Sequence, residues 1–397
     1  MNQIATELLK ITASALFGSE YTILPNIDYS AVLDEAVAQS VFGLVYPPVR
    51  SAISSDAAQQ YEEQFFSYIM MNTSVENDHA AVHELMTKHK IPYVTIKGCA
   101  SAKYYPEPSL RCMGDIDFLV RKADFERTIK LVEEQGFVPI EEDDRSHHQA
   151  LQKDSMLWEV HHTVSGVPEG LVGGICQKKF SDLIKSAVIY HSDSGEFLIP
   201  DDYHHGLVML LHVVEHITTT GVGLRHICDW AVFVNSMNED EFVKLFRNDL
   251  KEIGLWRFAK ILTAFCTKYL GLPEREFAKD IDSDLLQDML EDVLDGGNFG
   301  KKDADRYHGS MLNSKETSGN SLVKNMFRTL NKRTRIRMPI TEKVPVLLPI
   351  GWAYVGVNHL LMIKKGKRPK VHLKSTLEKS AKRADMNKSY KLFEIEN

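Results

Sequence analysis

The chain has 397 residues, too many for one ordinary compact core, so two or three structural units are expected. Its composition, 44% hydrophobic and 25% charged, is that of a globular protein, and Met1–Ser14 carry Glu7 and Lys10 with no apolar core or cleavage site of a secretory signal. Five scattered cysteines without a C-x-x-C exclude a disulfide framework or a cysteine zinc site and fit a reducing cytoplasm.

The net charge of −7 is unevenly spread. Residues 322–397 hold 18 Lys and Arg against 5 Asp and Glu, a net of +13, which leaves −20 on residues 1–321. This basic arm is expected either to meet an anionic partner, nucleic acid or a membrane surface, or to fold back on the acidic body.

Residues 1–89 read as an N-terminal helical segment. Apolar residues recur at helical spacing from Ala31 to Ser40, and Asp56–His89, free of Pro and Gly, suits one long helix. The period changes at Ile91-Pro92. Tyr93–Ile96 is β-prone, Asp115–Val120 alternates polar and apolar residues, and Ala123–Gln135 is an amphipathic helix ended by Gly136. Strands follow at Phe137–Ile140, Met156–His161 and Phe197–Ile199, with an acidic loop at Glu141–Asp144. Residues 90–199 therefore form a mixed α and β unit.

From Pro200 to about residue 307 the pattern is helical again, with segments at Leu207–Ile217, Arg225–Met237, Glu239–Leu250 and Leu255–Leu270. His308–Ser321 reads as a linker to the basic arm, residues 322–397. Within the arm, Val344–Ile363 is apolar, but Pro345, Pro349 and Gly351 interrupt it. A helix after Pro349 leaves too few residues to cross a bilayer, so no transmembrane span is expected.

The chemistry-bearing feature is Asp115-Ile-Asp117. On a strand, residues i and i+2 share a face, so the two carboxylates stand side by side. Such a pair is costly unless a cation or proton holds it, and Mg²⁺ takes one or two carboxylates, completing its shell with water and phosphates. Glu159, flanked by Trp158 and Val160, is placed as a third ligand on a neighbouring strand, sharing its face with His161. Lys97 and Gly98 end the preceding strand, where a cation and an accessible backbone can meet phosphates; Arg111 can do the same.

These residues resemble a bacterial family of uncharacterised nucleotidyltransferases in the DNA polymerase β-type superfamily. The likeness runs through Ile96-Lys97-Gly98, Tyr104-Tyr105-Pro106, Arg111, Gly114–Val120, Trp158–His161, Phe197–Pro200 and the His212–Asp229 helices. It implies an α+β fold: a small mixed-sheet nucleotidyltransferase core flanked by an N-terminal helical segment and a C-terminal helical domain. It also implies Asp115, Asp117 and Glu159 as catalytic metal ligands for Mg²⁺ or Mn²⁺, NTP as substrate, and two-metal transfer of a nucleoside monophosphate. Cys99 stands where the superfamily turn carries Gly or Ser. No acceptor-reading motif is present, so sugar, small molecule, protein and RNA stay open.

Two other readings are carried forward. One is a non-enzymatic scaffold recruiting anionic partners through the basic arm, which leaves a membrane-peripheral location open beside the cytoplasmic one. The other is a zinc hydrolase built on His212-Val-Val-Glu215-His216, an H-x-x-E-H pattern whose third ligand the sequence does not place. His161, His212 and His216 are also candidates to line the nucleotidyltransferase cleft.

Overall fold

The computed structural model describes residues 2–140, 147–303, 306, 327, 330–331, 333–335, 337–364 and 373–395. The acidic loop Glu141–Asp144 and the linker His308–Ser321 lie, wholly or in greater part, outside these residues.

Three N-terminal helices come first: α1 (Gln3–Phe17), α2 (Tyr29–Ala38) and α3 (Phe42–Val49). The expected long helix is α4 (Ser55–Lys88), continuous because nothing in it breaks the ladder. The mixed unit follows as β1 (Tyr93–Thr95), α5 (Cys99–Ala102), β2 (Ile116–Val120), α6 (Phe125–Glu134), β3 (Val138–Pro139), β4 (His148–Lys153) and β5 (Met156–His161). Then come α7 (Gly170–Lys179), the hairpin β6 (Val188–Ser192) and β7 (Gly195–Ile199), and the helices α8 (Asp202–Thr218), α9 (Leu224–Asn235), α10 (Glu239–Glu252), α11 (Trp256–Leu270) and α12 (Ser283–Gly296). The arm contributes α13 (Ile340–Lys343), α14 (Leu348–Lys364) and α15 (Leu373–Tyr390).

Caps explain several boundaries. Asp201 accepts from the His204 N–H and starts α8, Asn238 and Glu241 form a capping box on α10, and Gly271 closes α11 with a left-handed φ of 75°.

The fold is α+β, with a five-stranded mixed sheet in the order β1-β2-β5-β4-β3. β2 and β5 run parallel and the other neighbours antiparallel. Alternation gives this sheet two faces. Ile116, Phe118 and Val120 of β2, with Trp158 and Val160 of β5, pack against Val75 and Val82 of α4 and Val132 of α6. Asp117 and Leu119, with Glu159 and His161, point to the opposite face. There the helices α8–α12, together with α1–α3, share a second core that includes Leu119, Val213, Ile227 and Trp230.

Two strands lacked a sequence signal. β4 holds only two apolar residues, Ala150 and Leu151, among polar ones, and β6 leaves Val188 and Ile189 exposed. Asp115 falls one residue before β2 rather than on it.

The arm divides. On α15, Arg383 donates to the carbonyls of Ile217 and Thr219 and pairs with Asp292 at 3.4 Å, Lys379 pairs with Asp303 at 2.8 Å, and Tyr390 is buried against Phe258. Part of the basic charge thus docks on the acidic body. On α14, Ile350, Tyr354, Val357 and Leu361 are exposed at spacings that put them on one face. No described helix is long and apolar enough to cross a membrane.

Candidate active site

The parallel register sets Asp117 directly opposite Glu159. Both side chains leave the sheet on the face that α8 and α9 cover, where a cavity of about 350 Å³ opens. Lys97, Gly98, Arg111, Asp115, Asp117, Glu159, His161, His212 and His216 all line it. Its walls carry five carboxylates (Asp115, Asp117, Glu159, Glu215 and Asp229) against three cations (Lys97, Arg111 and Arg225).

Asp117 is only 2% exposed, and its Oδ1 accepts from Lys97 Nζ at 2.6 Å and from His161 Nε2 at 2.8 Å. Burial opposes its ionisation, yet Lys97 and His161 hold its pKa well below the usual carboxylate range. Burial likewise works against the Lys97 ammonium, and the charges of Asp117, Glu159 and Asp115 raise its pKa regardless. For Asp115, burial and then the neighbouring Asp117 charge push the pKa up, against the opposing charges of Lys97 and Arg225. His161 Nε2 also lies 3.3 Å from Glu159 Oε2, and His148 Nε2 lies 3.9 Å from the same oxygen.

Gly98 follows β1 with φ 57° and ψ −117°, a conformation closed to L side chains, and a Cβ there would sit 3.3 Å from His79 Nε2. Burial pushes His79 itself down to about 4.

Arg111 occupies the cavity wall with much of its donor capacity spent. Its Nε and Nη2 grip the two oxygens of Asp229 at 2.8 and 2.7 Å, and Nη1 donates to the Cys112 carbonyl. Tyr105 donates to the same Asp229 Oδ1 at 2.7 Å. Asp229 is thus satisfied by Arg111 and Tyr105, from another segment, and not by Arg225 one turn before it on α9. Arg225 donates to the Cys112 carbonyl at 3.3 Å and lies over the Phe299 ring. Its Nε has no hydrogen-bond partner among the described residues.

The donor set suits a hard divalent cation. Ligand atoms of Asp117, Glu159 and His161 lie within 4.8 Å of one another, with Asp115 in the same cavity. A carboxylate cluster in which one member is driven toward protonation is one that a cation would relieve.

The profile of a family described as "Uncharacterised nucleotidyltransferase" matches residues 25–271, well over half the chain. The chain belongs to that family. No curated protein matches it. Membership brings a general nucleotidyltransferase role, and the matched segment holds α2 through α11 with the whole sheet and most of the cavity wall.

Several cavity residues had no sequence signal, among them His148, His226 and Phe299. His226 and Phe299 come from segments with no metal or aromatic motif, and His148 sits on the strand that had no periodic signal. His212, His216 and His226 bring one ring nitrogen each within 4.8 Å of the others. Burial holds the pKa of His212 and of His226 well below the ordinary value.

Proposed function

We propose that the chain transfers a nucleoside monophosphate from an NTP to an acceptor hydroxyl on a sugar, small molecule, protein or RNA. The observation that carries this reading is the register pairing of Asp117 with Glu159 at a cavity that also receives Asp115, Lys97 and Gly98. Asp115, Asp117 and Glu159 would hold Mg²⁺ or Mn²⁺ in a two-metal site. Bound there, the metals would supply charge stabilisation to the attacking and leaving oxygens.

The chain's own groups account for the rest. Lys97 keeps Asp117 ionised, and the open backbone at Gly98 admits a triphosphate beside it. Arg225 offers its spare guanidinium donors to phosphate, while Arg111, clamped on Asp229, braces the wall and has two N–H groups left to add. The acceptor oxygen attacks the α-phosphorus, pyrophosphate leaves, and the hydroxyl proton passes to Glu159, whose carboxylate His161 steadies. Incubation with α-phosphate-labelled NTPs and cell extract tests the proposal. A labelled acceptor and released pyrophosphate are expected from wild type and absent from Glu159→Gln; label transfer undiminished in that variant contradicts the assignment.

A second reading concerns the basic arm, which the non-enzymatic scaffold alternative would use to recruit an anionic partner. α14 exposes Ile350, Tyr354, Val357 and Leu361 and ends at Lys364, with Lys343 shortly before it, which supports contact with an anionic membrane surface. The arm would then hold a cytoplasmic enzyme at the membrane periphery. Flotation with phosphatidylserine vesicles should carry the wild type and lose it when Tyr354 and Leu361 are both replaced by Ser. Equal flotation of the two contradicts the reading.

A further inference from the structure

The H-x-x-E-H segment is left unused by nucleotidyl transfer. His212 and His216 lie one turn apart on α8, with ring centroids 4.4 Å from each other. α9 crosses α8 and delivers His226, whose ring is 5.1 Å from His212 and 5.2 Å from His216. Ligand nitrogens of all three converge within 4.8 Å.

His226 is 3% exposed, and neither of its ring nitrogens meets a hydrogen-bond partner among the described residues. The buried Nδ1 of His212 likewise has none. A buried imidazole with no partner is costly, and its persistence at a cavity wall points to a ligand that satisfies it. Phe299 caps the group, 4.7 Å from the His216 ring and 5.2 Å from that of His226, and its backbone is held at a left-handed φ of 57° to do so.

We propose that His212, His216 and His226 form a second metal site, distinct from the carboxylates on the sheet and selective for a borderline divalent cation of the Zn²⁺ type. Three imidazoles and no carboxylate select Zn²⁺, Co²⁺ or Ni²⁺ over Mg²⁺, which requires oxygen. Three protein ligands leave a tetrahedral ion with one position open for water or a substrate oxygen, unlike a closed structural site. The site stands on its own geometry and does not rest on the nucleotidyltransferase reading.

The test is Zn²⁺ and Co²⁺ uptake by the chelator-stripped full chain in excess Mg²⁺, which fills oxygen sites and leaves nitrogen sites free. One equivalent of Zn²⁺ and an intense visible Co²⁺ spectrum of four-coordinate, nitrogen-ligated type are expected. His226→Ala and His216→Ala should each weaken Zn²⁺ binding by more than the roughly 10–100-fold that a lost outer-sphere partner costs. Melting curves in chelator establish that each variant is folded before its affinity is read. If neither variant folds, the wild-type Co²⁺ spectrum decides: the four-coordinate form supports the site, and a weak six-coordinate spectrum overturns it. Absence of uptake in excess Mg²⁺, or uptake unchanged in both folded variants, also overturns it.

Discussion

The cavity has two walls that solve the same electrostatic problem differently. On the sheet wall Asp117 stays charged although it is buried, because Lys97 and His161 both donate to one of its oxygens. On the helical wall no such pairing exists for His212 and His226 among the described residues, and burial keeps them neutral. Strand alternation and register place the first group, whereas the second depends on two helices crossing. A charged wall is therefore sensitive to removal of one partner, because the other is left buried and uncompensated. A neutral wall should tolerate side-chain loss and lose only what it binds.

Asp117→Asn should break this contrast most sharply. Loss of several kcal/mol of charge stabilisation predicts a fall in nucleotidyl transfer of about 10³-fold. The same change strands Lys97 beside a neutral amide, so the metal-free protein should also melt lower, by up to about 3–5 kcal/mol. His226→Ala, by comparison, should melt near wild type in chelator. Equal melting of Asp117→Asn and wild type would mean that the Lys97 pair contributes nothing to the fold.

Arg111 and Arg225 offer the next contrast. Arg111→Lys removes a bidentate grip on buried Asp229 and should show chiefly as lost stability. Arg225→Ala should leave the melting temperature nearly unchanged and weaken NTP binding about 10–100-fold, the worth of one or two charge-assisted hydrogen bonds. The reverse pattern would exchange their roles.

How far the site could be read beforehand follows from the same physics. The alternation in Ile116–Val120 and Met156–His161 was enough to put Asp117 and Glu159 on one face, because a two-residue period leaves no other choice. Partners were less legible. Nothing local indicates that Lys97 reaches Asp117, or that Asp229 is held by Arg111, 118 positions earlier, and not by Arg225 one turn before it. β4 was invisible because its face toward the cavity carries polar residues such as His148, so the apolar signal of a strand is missing. His226 and Phe299 become neighbours of His216 only through tertiary packing.

Acid should act by a smaller amount, through two buried histidines outside the cavity lining. Burial lowers His79 to about 4 and His205 to about 3 from an ordinary 6.5, so below that value the unfolded chain takes up protons that the folded chain refuses. Stability is therefore full above about pH 6.5 and falls as pH drops toward the folded values, by about 1.4 kcal/mol for each such histidine at about pH 5.5. Urea melts at about pH 7.5 and about pH 5.5 should show this loss, and His79→Gln should reduce it by one histidine's share. A loss the same in that variant would contradict the burial argument for His79.

The central claim, that Asp115, Asp117 and Glu159 assemble one site for metal and nucleotide, is tested most directly by melting curves with NTP alone, Mn²⁺ alone and both together. Glu159→Gln is the companion variant because Glu159 is only partly buried and its loss should leave the fold intact. If the phosphates complete the metal's shell, NTP and Mn²⁺ together should stabilise wild type by clearly more than their separate shifts combined, and this surplus should vanish in Glu159→Gln. Equal NTP shifts with and without Mn²⁺, or a surplus that persists in Glu159→Gln, would contradict it.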